Sequence, residues 1–412
     1  MAQPNLTRRD FLARSGAAAA MALGSLSMPS ARAQGANDRL SIGIIGCGGR
    51  GAGALMPEVY SQGKDLNVEI TAICDVWRPA REKAVAQVKE WYGREPRAFS
   101  RYQELLALDD VDAVTIATPD FAHSPILAAA AKAGKDAYCE KPMATKLKDA
   151  KAAVDAVVAN QRVVQIGTQR RSDGRHKGGA ALIQSGVLGA ISEVEAAFHD
   201  AGPRWARGYG DVKQEDVDWQ GYLMDLPKRP FDPARYRRWH LYKDYTVGTP
   251  GLLGSHMMDV AVWFMDDLLP LTGTANGGIF VWRDGREHAD TLRCLLTYPK
   301  GWLLNYCTRL GNTKAPADVV FYALKGTFDT TSWTAVGDGG GREKLTQPVK
   351  AEAQPGENHM RNWLECIRSR QQPNAPVQAG YAHSVASIMC FQAFETGRTQ
   401  LYDAEKREIR PA

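Results

Sequence analysis

Residues 42–51 read Ile-Gly-Ile-Ile-Gly-Cys-Gly-Gly-Arg-Gly, a short apolar run that leads into a G-x-G-x-x-G turn. A second apolar run follows at residues 68–74 and ends at Asp75. This order of strand, glycine turn, helix, strand and acid is typical of a dinucleotide-binding unit of the Rossmann type. A plain glycine loop in an α/β domain is the alternative interpretation, because glycine turns are common.

Each residue of the turn has a defined place in nucleotide binding. Gly46 permits the tight turn, Gly48 lets the backbone approach a pyrophosphate, and Gly51 lets helix and strand pack closely. The pyrophosphate is expected at the helix N-terminus, where unpaired N–H groups and the helix dipole favour an anion. Gly49 and Arg50 complete this predicted cofactor-binding segment.

The acid after the second run predicts which nucleotide binds. The Asp75 carboxylate is expected to accept hydrogen bonds from the ribose hydroxyls of the adenosine and to repel a 2′-phosphate. NAD is therefore the expected cofactor. NADP is the less favoured alternative, which Arg78 keeps open because an arginine can pair with a phosphate.

A targeting signal is predicted at the N-terminus. Residues 7–12 read Thr-Arg-Arg-Asp-Phe-Leu, a twin-arginine signature, and an alanine-rich, weakly apolar stretch follows at residues 16–28. Ala31 and Ala33 are small residues at the two positions that determine cleavage. We interpret residues 1–33 as a removable signal for the twin-arginine translocase and expect the mature protein in the periplasm, without membrane attachment. An uncleaved anchor or a chance basic tail is the alternative.

Charge and cysteine content exclude several classes of function. The formal net charge of the chain is +5, and four arginines and one aspartate give the signal +3, which leaves the mature protein near +2. This balance gives no support for binding to nucleic acid or to a membrane surface. The seven cysteines form no C-x-x-C pair and are odd in number. Neither a metal site nor a full disulfide framework is therefore predicted.

The periodicity of apolar residues predicts two different sheets. Strand and helix patterns alternate up to residue 167, which indicates a doubly wound parallel sheet of the Rossmann type. Longer strand patterns joined by turns follow and predict a large, mostly antiparallel open sheet. These patterns cover residues 191–198, 277–282, 291–298, 302–307, 318–324 and 327–332. The expected fold class is α/β for the first part and α+β for the second.

We divide the mature chain into three parts on this basis. A nucleotide-binding domain is expected at residues 34–165, a substrate and oligomerisation domain at residues 166–356, and C-terminal helices at residues 357–412. The second domain contains an insertion at residues 200–270 that is rich in Trp, Tyr, Arg and Pro. A loop of that length in a compact domain is usually functional.

Polar residues end two of the predicted parallel strands, at the edge where doubly wound sheets bind ligands. Thr118 and Pro119 are expected to line the nicotinamide side of the nucleotide. His123 can act there, or it can be a polar residue at a helix start. Glu140 is expected to bind the nicotinamide ribose, and Lys141 to orient a sugar hydroxyl and assist its deprotonation. A surface salt bridge is the alternative for this pair.

The glycine turn, the Ala117-Thr118-Pro119 strand end and the Glu140-Lys141-Pro142 strand end, in this order, resemble the glucose–fructose oxidoreductase, inositol dehydrogenase and MocA family (Gfo/Idh/MocA). Residues 167–172, which read Gly-Thr-Gln-Arg-Arg-Ser, are similar to the crossing strand of exported members, and we assign Gln169 to the cofactor site. The resemblance spans essentially the whole mature chain.

The resemblance implies a fold, an assembly and a chemistry. A Rossmann domain precedes an open antiparallel sheet that often mediates oligomers, so a homo-oligomer, a dimer or a tetramer, is expected. The C-terminal helices pack back on the first domain. Members oxidise or reduce carbons of sugars and cyclitols with nicotinamide cofactors, and exported members hold the nucleotide tightly.

A further landmark of the family lies at residues 251–259. Family dehydrogenases usually carry an acid four residues before a histidine, and this chain has Leu252 there, while His256 and Asp259 are kept. His256 is expected to be the general acid/base, because imidazole titrates near neutral pH. A buried structural histidine is the alternative. Asp259 is assigned to the substrate site, with capping or ion pairing as its alternative.

The insertion and the segment before it provide candidate substrate-binding residues. Aromatic faces stack on sugars, and arginine and tyrosine side chains hydrogen-bond to hydroxyls. Tyr245 is the aromatic residue expected to reach the substrate and is a further candidate for catalysis. The aromatic residues can instead be the core of the insertion, and the arginines can cover the sheet. The remaining candidates are Arg170, Arg171, Arg204, Trp205 and Tyr236.

Three functions fit the sequence. The leading one is an exported, NAD-dependent oxidoreductase that acts on a sugar, glycoside or cyclitol. The second is a redox-neutral glycoside hydrolase that oxidises the sugar transiently, eliminates the aglycone and returns the hydride. The absence of the acid at Leu252 fits the second, although the Tyr-Pro-Thr-His-Gly segment of the best-known hydrolase subgroup is missing. The third is a subunit that only holds the nucleotide, which the presence of Lys141 and His256 disfavours.

Overall fold

The glycine turn follows the first strand of a parallel sheet in the computed structural model, which describes residues 39–314 and 318–412. The sheet has six strands in the order β3-β2-β1-β4-β5-β6. Its strands are Leu40–Ile45 (β1), Val68–Cys74 (β2), Arg97–Phe99 (β3), Ala113–Ile116 (β4), Asp136–Cys139 (β5) and Val164–Ile166 (β6). Residues of β1 are buried throughout, because helices cover both faces of a doubly wound sheet.

Helices alternate with these strands. The turn after β1 continues into a π-helical segment, Gly51–Leu55, that leads directly into the first α-helix. The helices are Met56–Leu66 (α1), Arg78–Tyr92 (α2), Tyr102–Leu106 (α3), Asp120–Lys132 (α4) and Leu147–Ala159 (α5). The strand order reverses between β1 and β4, and the carboxyl ends of these two strands therefore open the crevice where such sheets bind ligands.

A sheet of ten strands forms the second part of the fold, in the order β14-β13-β12-β11-β7-β10-β9-β8-β15-β16. Strands β7 and β10 pair in parallel, and the other neighbours pair antiparallel. The strands are Ile191–Asp200 (β7), Thr272–Gly278 (β8), Thr291–Tyr298 (β9), Trp302–Leu310 (β10), Val319–Ala323 (β11), Gly326–Asp329 (β12), Thr334–Val336 (β13), Val349–Lys350 (β14), Gln400–Asp403 (β15) and Glu408–Pro411 (β16). The predicted fold class is confirmed.

Helices pack on one face of this sheet. The helix Ser255–Phe264 contacts β7, β10 and β11, and the long helix Val377–Thr396 contacts β8 and β9. The remaining helices follow the same numbering, with Gly174–Gln184 as α6, Trp219–Leu223 as α7, Pro233–Arg237 as α8, Ser255–Phe264 as α9, His359–Ser369 as α10 and Val377–Thr396 as α11. Short 3-10 segments cover Gln169–Ser172, Gln214–Asp216 and Trp239–Leu241, and a π-helical segment, Pro250–Gly254, leads into α9.

The two C-terminal helices contact different parts of the molecule. Helix α10 packs on α1, and the ring of its Trp363 lies 5.8 Å from that of Tyr138 in β5. Helix α11 lies against α5, α9 and β8. After α11 the chain adds β15 and β16 to the edge of the large sheet. None of the helices in the described ranges is long and apolar enough to cross a membrane.

One strand lies elsewhere than its sequence pattern predicts. A strand was expected at residues 277–282, and β8 instead covers Thr272–Gly278. The Asp290 carboxylate accepts hydrogen bonds from the backbone N–H groups of Phe280, Val281 and Trp282. These three donors are therefore engaged by a side chain and do not pair with a neighbouring strand. The predicted signal at residues 1–33 lies outside the described residues, and the predicted domain limits stay predictions.

Candidate functional site

The glycine turn forms a close backbone cradle at the carboxyl end of β1. Gly46 has a φ of +93°, and a Cβ there would lie 2.6 Å from the Ala117 carbonyl oxygen of the neighbouring strand end. A Cβ on Gly51 would lie 1.8 Å from the Gly46 carbonyl oxygen. Gly48 and Gly49 instead face open space. The turn therefore needs glycine at its two ends and leaves its middle free to approach a phosphate group.

Asp75 is fixed beside this turn. Its carboxylate accepts hydrogen bonds from the Cys47 N–H at 2.6 Å and from the Trp77 N–H at 2.8 Å. The surrounding protein withdraws the carboxyl from water and raises its pKa, although these two hydrogen bonds oppose the rise. The carboxylate is thus held rigidly where the ribose of an adenosine is expected.

Three polar side-chain atoms along this edge test whether a dinucleotide fits. Arg50 Nη2, Trp77 Nε1 and Thr118 Oγ1 are buried and have no hydrogen-bond partner among the described residues. They follow β1, β2 and β4, the three strands whose carboxyl ends meet at the crevice. Buried polar groups are normally paired, so three unpaired groups at one edge indicate a bound partner. The residues present therefore fit a dinucleotide.

The predicted ribose ligand Glu140 is paired with Arg50. The Arg50 Nε donates to Glu140 Oε1 at 2.6 Å, which connects the glycine turn to the end of β5. The backbone N–H of Lys141 also faces the Glu140 carboxylate, at 3.2 Å. One guanidinium nitrogen of Arg50 remains free for an anion, as described above.

Lys141 follows the end of β5 and contacts the segment that leads into α9. Its ammonium donates a hydrogen bond to the Leu252 carbonyl oxygen at 2.8 Å. Burial lowers the pKa of Lys141, and the charges of Glu140 and Asp120 oppose that change. The backbone of Leu252 thus orients the ammonium.

Four side chains hold the loop that carries Lys141. His123 Nδ1 lies 2.8 Å from the Pro142 carbonyl oxygen, and Ser124 donates to the Met143 carbonyl oxygen at 2.6 Å. From α11, His383 Nε2 accepts the Met143 N–H at 3.3 Å, and the Ser384 hydroxyl accepts the Ala144 N–H at 3.1 Å. A His-Ser pair on α4 and a second on α11 therefore fix residues 142–144 from two sides.

This arrangement places His123 behind the loop. Its second ring nitrogen lies 2.8 Å from the Thr118 carbonyl oxygen, so both nitrogens face backbone groups. Burial lowers the pKa of His123. His123 thus helps to fix the loop that follows Lys141. Its predicted contact with the cofactor stays a prediction.

His256 lines an open cavity of about 260 Å³. It is the second residue of α9, which directly follows the π-helical segment. Burial, followed by the charges of Lys141 and Arg170, holds the pKa of His256 well below its usual range. The imidazole is therefore neutral near pH 7 and can accept a proton. The other lining residues are Gln169, Arg170, Phe198, Leu253 and Met257.

Two predicted substrate-binding residues pair with each other beneath this cavity. Arg171 donates to both carboxylate oxygens of Asp259 at 2.8 to 3.0 Å, and both side chains are buried. The Arg171 guanidinium also lies 5.2 Å from the centre of the Trp263 ring. Arg170 pairs with Asp318 and is more exposed. Arg170 therefore lines the cavity. Asp259 forms an ion pair with Arg171, which is the alternative role given for Asp259 above.

Trp205 and Arg204 lie on the cavity side of the insertion. Both have left-handed backbones, with φ of +59° and +43°. Trp205 stacks on His240 at 5.3 Å and belongs to an apolar cluster with Leu252 and Leu253. Arg204 pairs with Asp200. Two adjacent non-glycine residues in this backbone region indicate a constrained segment of the kind found at functional sites.

The two tyrosines assigned to the substrate lie elsewhere. Tyr245 is fully buried, and its ring packs at 5.5 Å from both Phe121 and Tyr222. Tyr236 lies 6.2 Å from the Trp77 ring, beside Asp75 and away from the cavity. The structure thus brings His256 and Arg170 together at the cavity. Lys141 contacts Leu252 beside it, Trp205 packs in the cluster with Leu253, and Arg204 lies over the Phe198 ring. Both tyrosines lie in the aromatic core of the insertion.

Asp120 is a functional candidate that sequence reasoning missed. It begins α4 and accepts a hydrogen bond from the Thr246 hydroxyl at 2.7 Å. Burial raises the pKa of Asp120 to about 7, and Thr246 and Lys141 oppose part of this rise. Its position directly after Thr118 and Pro119 was the available signal. His383 and Ser384 were also missed, because no pattern near them in the sequence indicates a site.

Comparison with known proteins supports the interpretation of the first sheet. Residues 40–168 match the GFO_IDH_MocA family model, described as an oxidoreductase family with an NAD-binding Rossmann fold. A "Glycosyl hydrolase family 109 protein 2" of Shewanella sp. (strain ANA-3) is 34% identical over 167 residues, which cover 39% of this chain and 35% of that protein. An "Inositol 2-dehydrogenase" of Salmonella paratyphi B is 30% identical over 163 residues, which cover 39% and 46%.

The match to solved structures extends further along the chain. A structure titled as an aldose-aldose oxidoreductase from Caulobacter crescentus, complexed with glycerol, has a TM-score of 0.65 and is 20% identical. The alignment covers 88% of this chain and 99% of that one, so the two share a fold. The curated relatives match over about a third to a half of their own length.

Proposed function

We propose, on the premise that the nucleotide-binding domain of this chain belongs to the Gfo/Idh/MocA oxidoreductase family, that the protein transfers a hydride between a nicotinamide nucleotide and a carbon of a sugar, glycoside or cyclitol. The observation that carries this proposal is the placement of Lys141. Its ammonium, at the end of β5, donates to the Leu252 carbonyl oxygen, and the residues just after Leu252, among them His256, line the cavity.

The residues divide the proton transfer between them. The bound nucleotide supplies a nicotinamide ring that accepts or returns a hydride. In the oxidative direction Lys141 donates a hydrogen bond to the substrate hydroxyl and stabilises negative charge on its oxygen. His256, neutral because of its lowered pKa, accepts the hydroxyl proton as the carbon loses its hydride. The carbon–oxygen bond becomes a carbonyl, and the reverse reaction returns the proton from His256.

NAD is the nucleotide that the adenosine end favours. Asp75 is fixed as a hydrogen-bond acceptor. Arg78, the residue able to pair with a 2′-phosphate, instead contacts Asp216 and Glu82. Mass analysis of the nucleotide released by denaturation tests this preference. Recovery of mainly NADP would contradict it.

Export and nucleotide retention are two linked proposals. A folded protein that crosses the membrane through the twin-arginine translocase has to carry its nucleotide along. Replacement of Arg8 and Arg9 by lysine is expected to keep the protein in the cytoplasm. Cell fractionation of the native protein and of this double variant decides between the compartments. A native protein found in the cytoplasm would contradict export.

A redox-neutral glycoside hydrolase is the second candidate. Two observations favour it, namely Leu252 in place of the usual acid and relatives whose names assign them to glycosyl hydrolase family 109. In that reaction the hydride returns to the same sugar, so the nucleotide shows no net change. Release of an aglycone without accumulation of a keto product would select the hydrolase. Accumulation of a keto sugar would select the net oxidoreductase.

A homo-oligomer formed through the large sheet is the proposed assembly. Alternate residues of its central strands face away from α9 and α11, among them Leu295 and Tyr322, which are 41% and 39% exposed. The same face carries Glu193 and Glu195 next to β10. A second copy across a two-fold axis would cover these apolar side chains. Light scattering measures the mass, and a monomer in solution would contradict the proposal.

A further inference from the structure

The insertion reaches across to the nucleotide-binding domain at the end of β2. Val217 forms an antiparallel bridge with Trp77, and the Asp218 N–H donates to the Val76 carbonyl oxygen at 2.9 Å. Val76 and Trp77 directly follow Asp75, the predicted ligand of the adenosine ribose. Backbone hydrogen bonds therefore fasten the insertion within two residues of the adenosine end of the cofactor site.

Two ion pairs strengthen this connection. Arg78, which begins α2, pairs with Asp216. Arg101, which precedes α3, pairs with Asp218 at 2.9 Å. The Asp218 carboxylate also accepts the Gly221 N–H at 2.9 Å and so caps α7 within the insertion. The contact thus joins two structured elements.

Tyr236 covers the same place from the other side of the insertion. Its ring lies 6.2 Å from the Trp77 ring and 5.0 Å from the Tyr222 ring. Burial, and then the negative charge of Asp75, raises the pKa of the Tyr236 phenol well above its usual range, and Arg237 opposes the rise. The phenol is therefore close to the predicted ribose ligand. The unpaired Trp77 Nε1 lies in the same region.

We propose that residues 216–218 and Tyr236 form a clasp over the adenosine end of the bound dinucleotide and make the nucleotide non-exchanging. The clasp rests on the proposed function, since it requires that the edge bind a nicotinamide nucleotide. It moves Tyr236 from the substrate site to the retention of the cofactor. The clasp is built into the folded insertion, so the nucleotide has to be bound before the insertion closes or wait for it to open locally.

The test measures nucleotide release separately from catalysis. Protein loaded with carbon-13-labelled NAD is mixed with excess unlabelled NAD, and the label that remains bound is followed by mass spectrometry. The native protein is expected to retain its label for hours. Arg101→Gln and Tyr236→Ala are expected to release it at least about tenfold faster, which corresponds to about 1.4 kcal/mol. Native protein that exchanges its label within the mixing time would contradict the clasp, as would unchanged release in both variants.

Asp244→Asn is the matched control. Within the described residues, the ion pairs of Asp244 are with Arg229 and Arg235, which both belong to the insertion. This variant is expected to release the label at the native rate. Equal acceleration in Asp244→Asn and in the clasp variants would contradict the clasp, because general loosening of the insertion would then explain the release.

A second measurement does not depend on a folded variant. Hydrogen exchange of the native protein is compared with and without nucleotide, and the amides of residues 214–218 are expected to exchange more slowly when the nucleotide is bound. No difference there would overturn the clasp. Free exchange of the label together with sugar-dependent reduction of added NAD would remove the clasp and keep the proposed function. If the label is retained but no sugar, glycoside or cyclitol reduces the bound NAD, the clasp stands and the proposed function is contradicted.

Discussion

The proposed function assigns to Lys141 the hydrogen bond to the substrate hydroxyl. Its ammonium is oriented by the Leu252 carbonyl and lies in a region where burial lowers its pKa. We expect Lys141→Ala to reduce turnover by about 10²-fold or more, since a general acid–base group contributes about that much. The variant is expected to retain its nucleotide. Steady-state rates and the nucleotide content of the purified protein are the measurements, and a rate near native would contradict the role.

Lys146→Ala is the control for that experiment, because Lys146 is an exposed lysine of the same loop.

His256→Ala and Tyr245→Phe test which of the two side chains accepts the hydroxyl proton. Single-turnover reduction of bound NAD by a saturating sugar is expected to collapse in His256→Ala and to persist in Tyr245→Phe, because Tyr245 is buried in the aromatic core. The opposite pattern would transfer the acid/base role to the tyrosine.

Asp120 predicts a specific dependence of stability on pH. Burial raises its pKa from 3.8 to about 7, so the folded protein binds a proton that the unfolded chain releases. Between these two values the native protein therefore loses stability as pH rises, by up to about 1.4 kcal/mol per pH unit from this group. The amide in Asp120→Asn does not ionise, so this variant is expected not to show the loss of stability with rising pH that Asp120 causes.

Denaturant unfolding of both proteins between pH 4 and pH 8 is the measurement. The stability of Asp120→Asn relative to the native protein should rise with pH up to about 7 and then level off. A constant difference across this range would show that Asp120 has the same pKa in the folded and unfolded states.

Among the elements, α11 holds the loop at residues 142–144, which lies about 240 residues earlier in the sequence. Ser384 and His383 accept the N–H groups of Ala144 and Met143 and hold the loop after Lys141. We expect Ser384→Ala to lose about 1 kcal/mol of stability and to lower turnover by about tenfold, because a small misplacement of a catalytic group is costly. Nucleotide retention should not change.

Ser384→Thr keeps the hydroxyl and is expected to restore turnover. Thr396→Val, at the exposed end of the same helix, is the control for loss of a hydroxyl on α11, since Thr396 donates to Gln392 within the helix. A fall in stability without any change in turnover in Ser384→Ala would show that α11 supports the fold and not the position of Lys141.

The sequence predicted what local patterns determine. The glycine turn, Asp75 and the strand ends at Thr118 and Lys141 each follow from a few adjacent residues. His383 supports a loop 240 residues away, and no local signal marks that pairing. The strand expected at residues 277–282 failed for a related reason, because one carboxylate, Asp290, takes the N–H groups that a strand would pair. In both cases a side chain outside the local apolar pattern decided the outcome.

At the scale of the whole molecule, periodicity predicted the order of a parallel sheet and a mostly antiparallel sheet, and the structure confirms it. The parallel pairing of β7 with β10 and the addition of β15 and β16 were not predicted. Pairing partners depend on which edges remain free after the rest of the sheet has formed, and a strand pattern does not specify its neighbour. The contact of the insertion with Val76 and Trp77 was also not predicted, because a local pattern does not specify the partner of a segment.

Under the proposed function, this chain moves a hydride between a bound nicotinamide nucleotide and a carbohydrate carbon. The most direct test is the absorbance of the purified protein in the reduced-nicotinamide band, recorded before and after addition of a panel of sugars, glycosides and cyclitols. At least one compound is expected to change this absorbance in the native protein and to leave it unchanged in Lys141→Ala. If the native protein binds NAD and its absorbance in this band does not change with any member of the panel under single-turnover conditions, hydride transfer to or from a carbohydrate is contradicted.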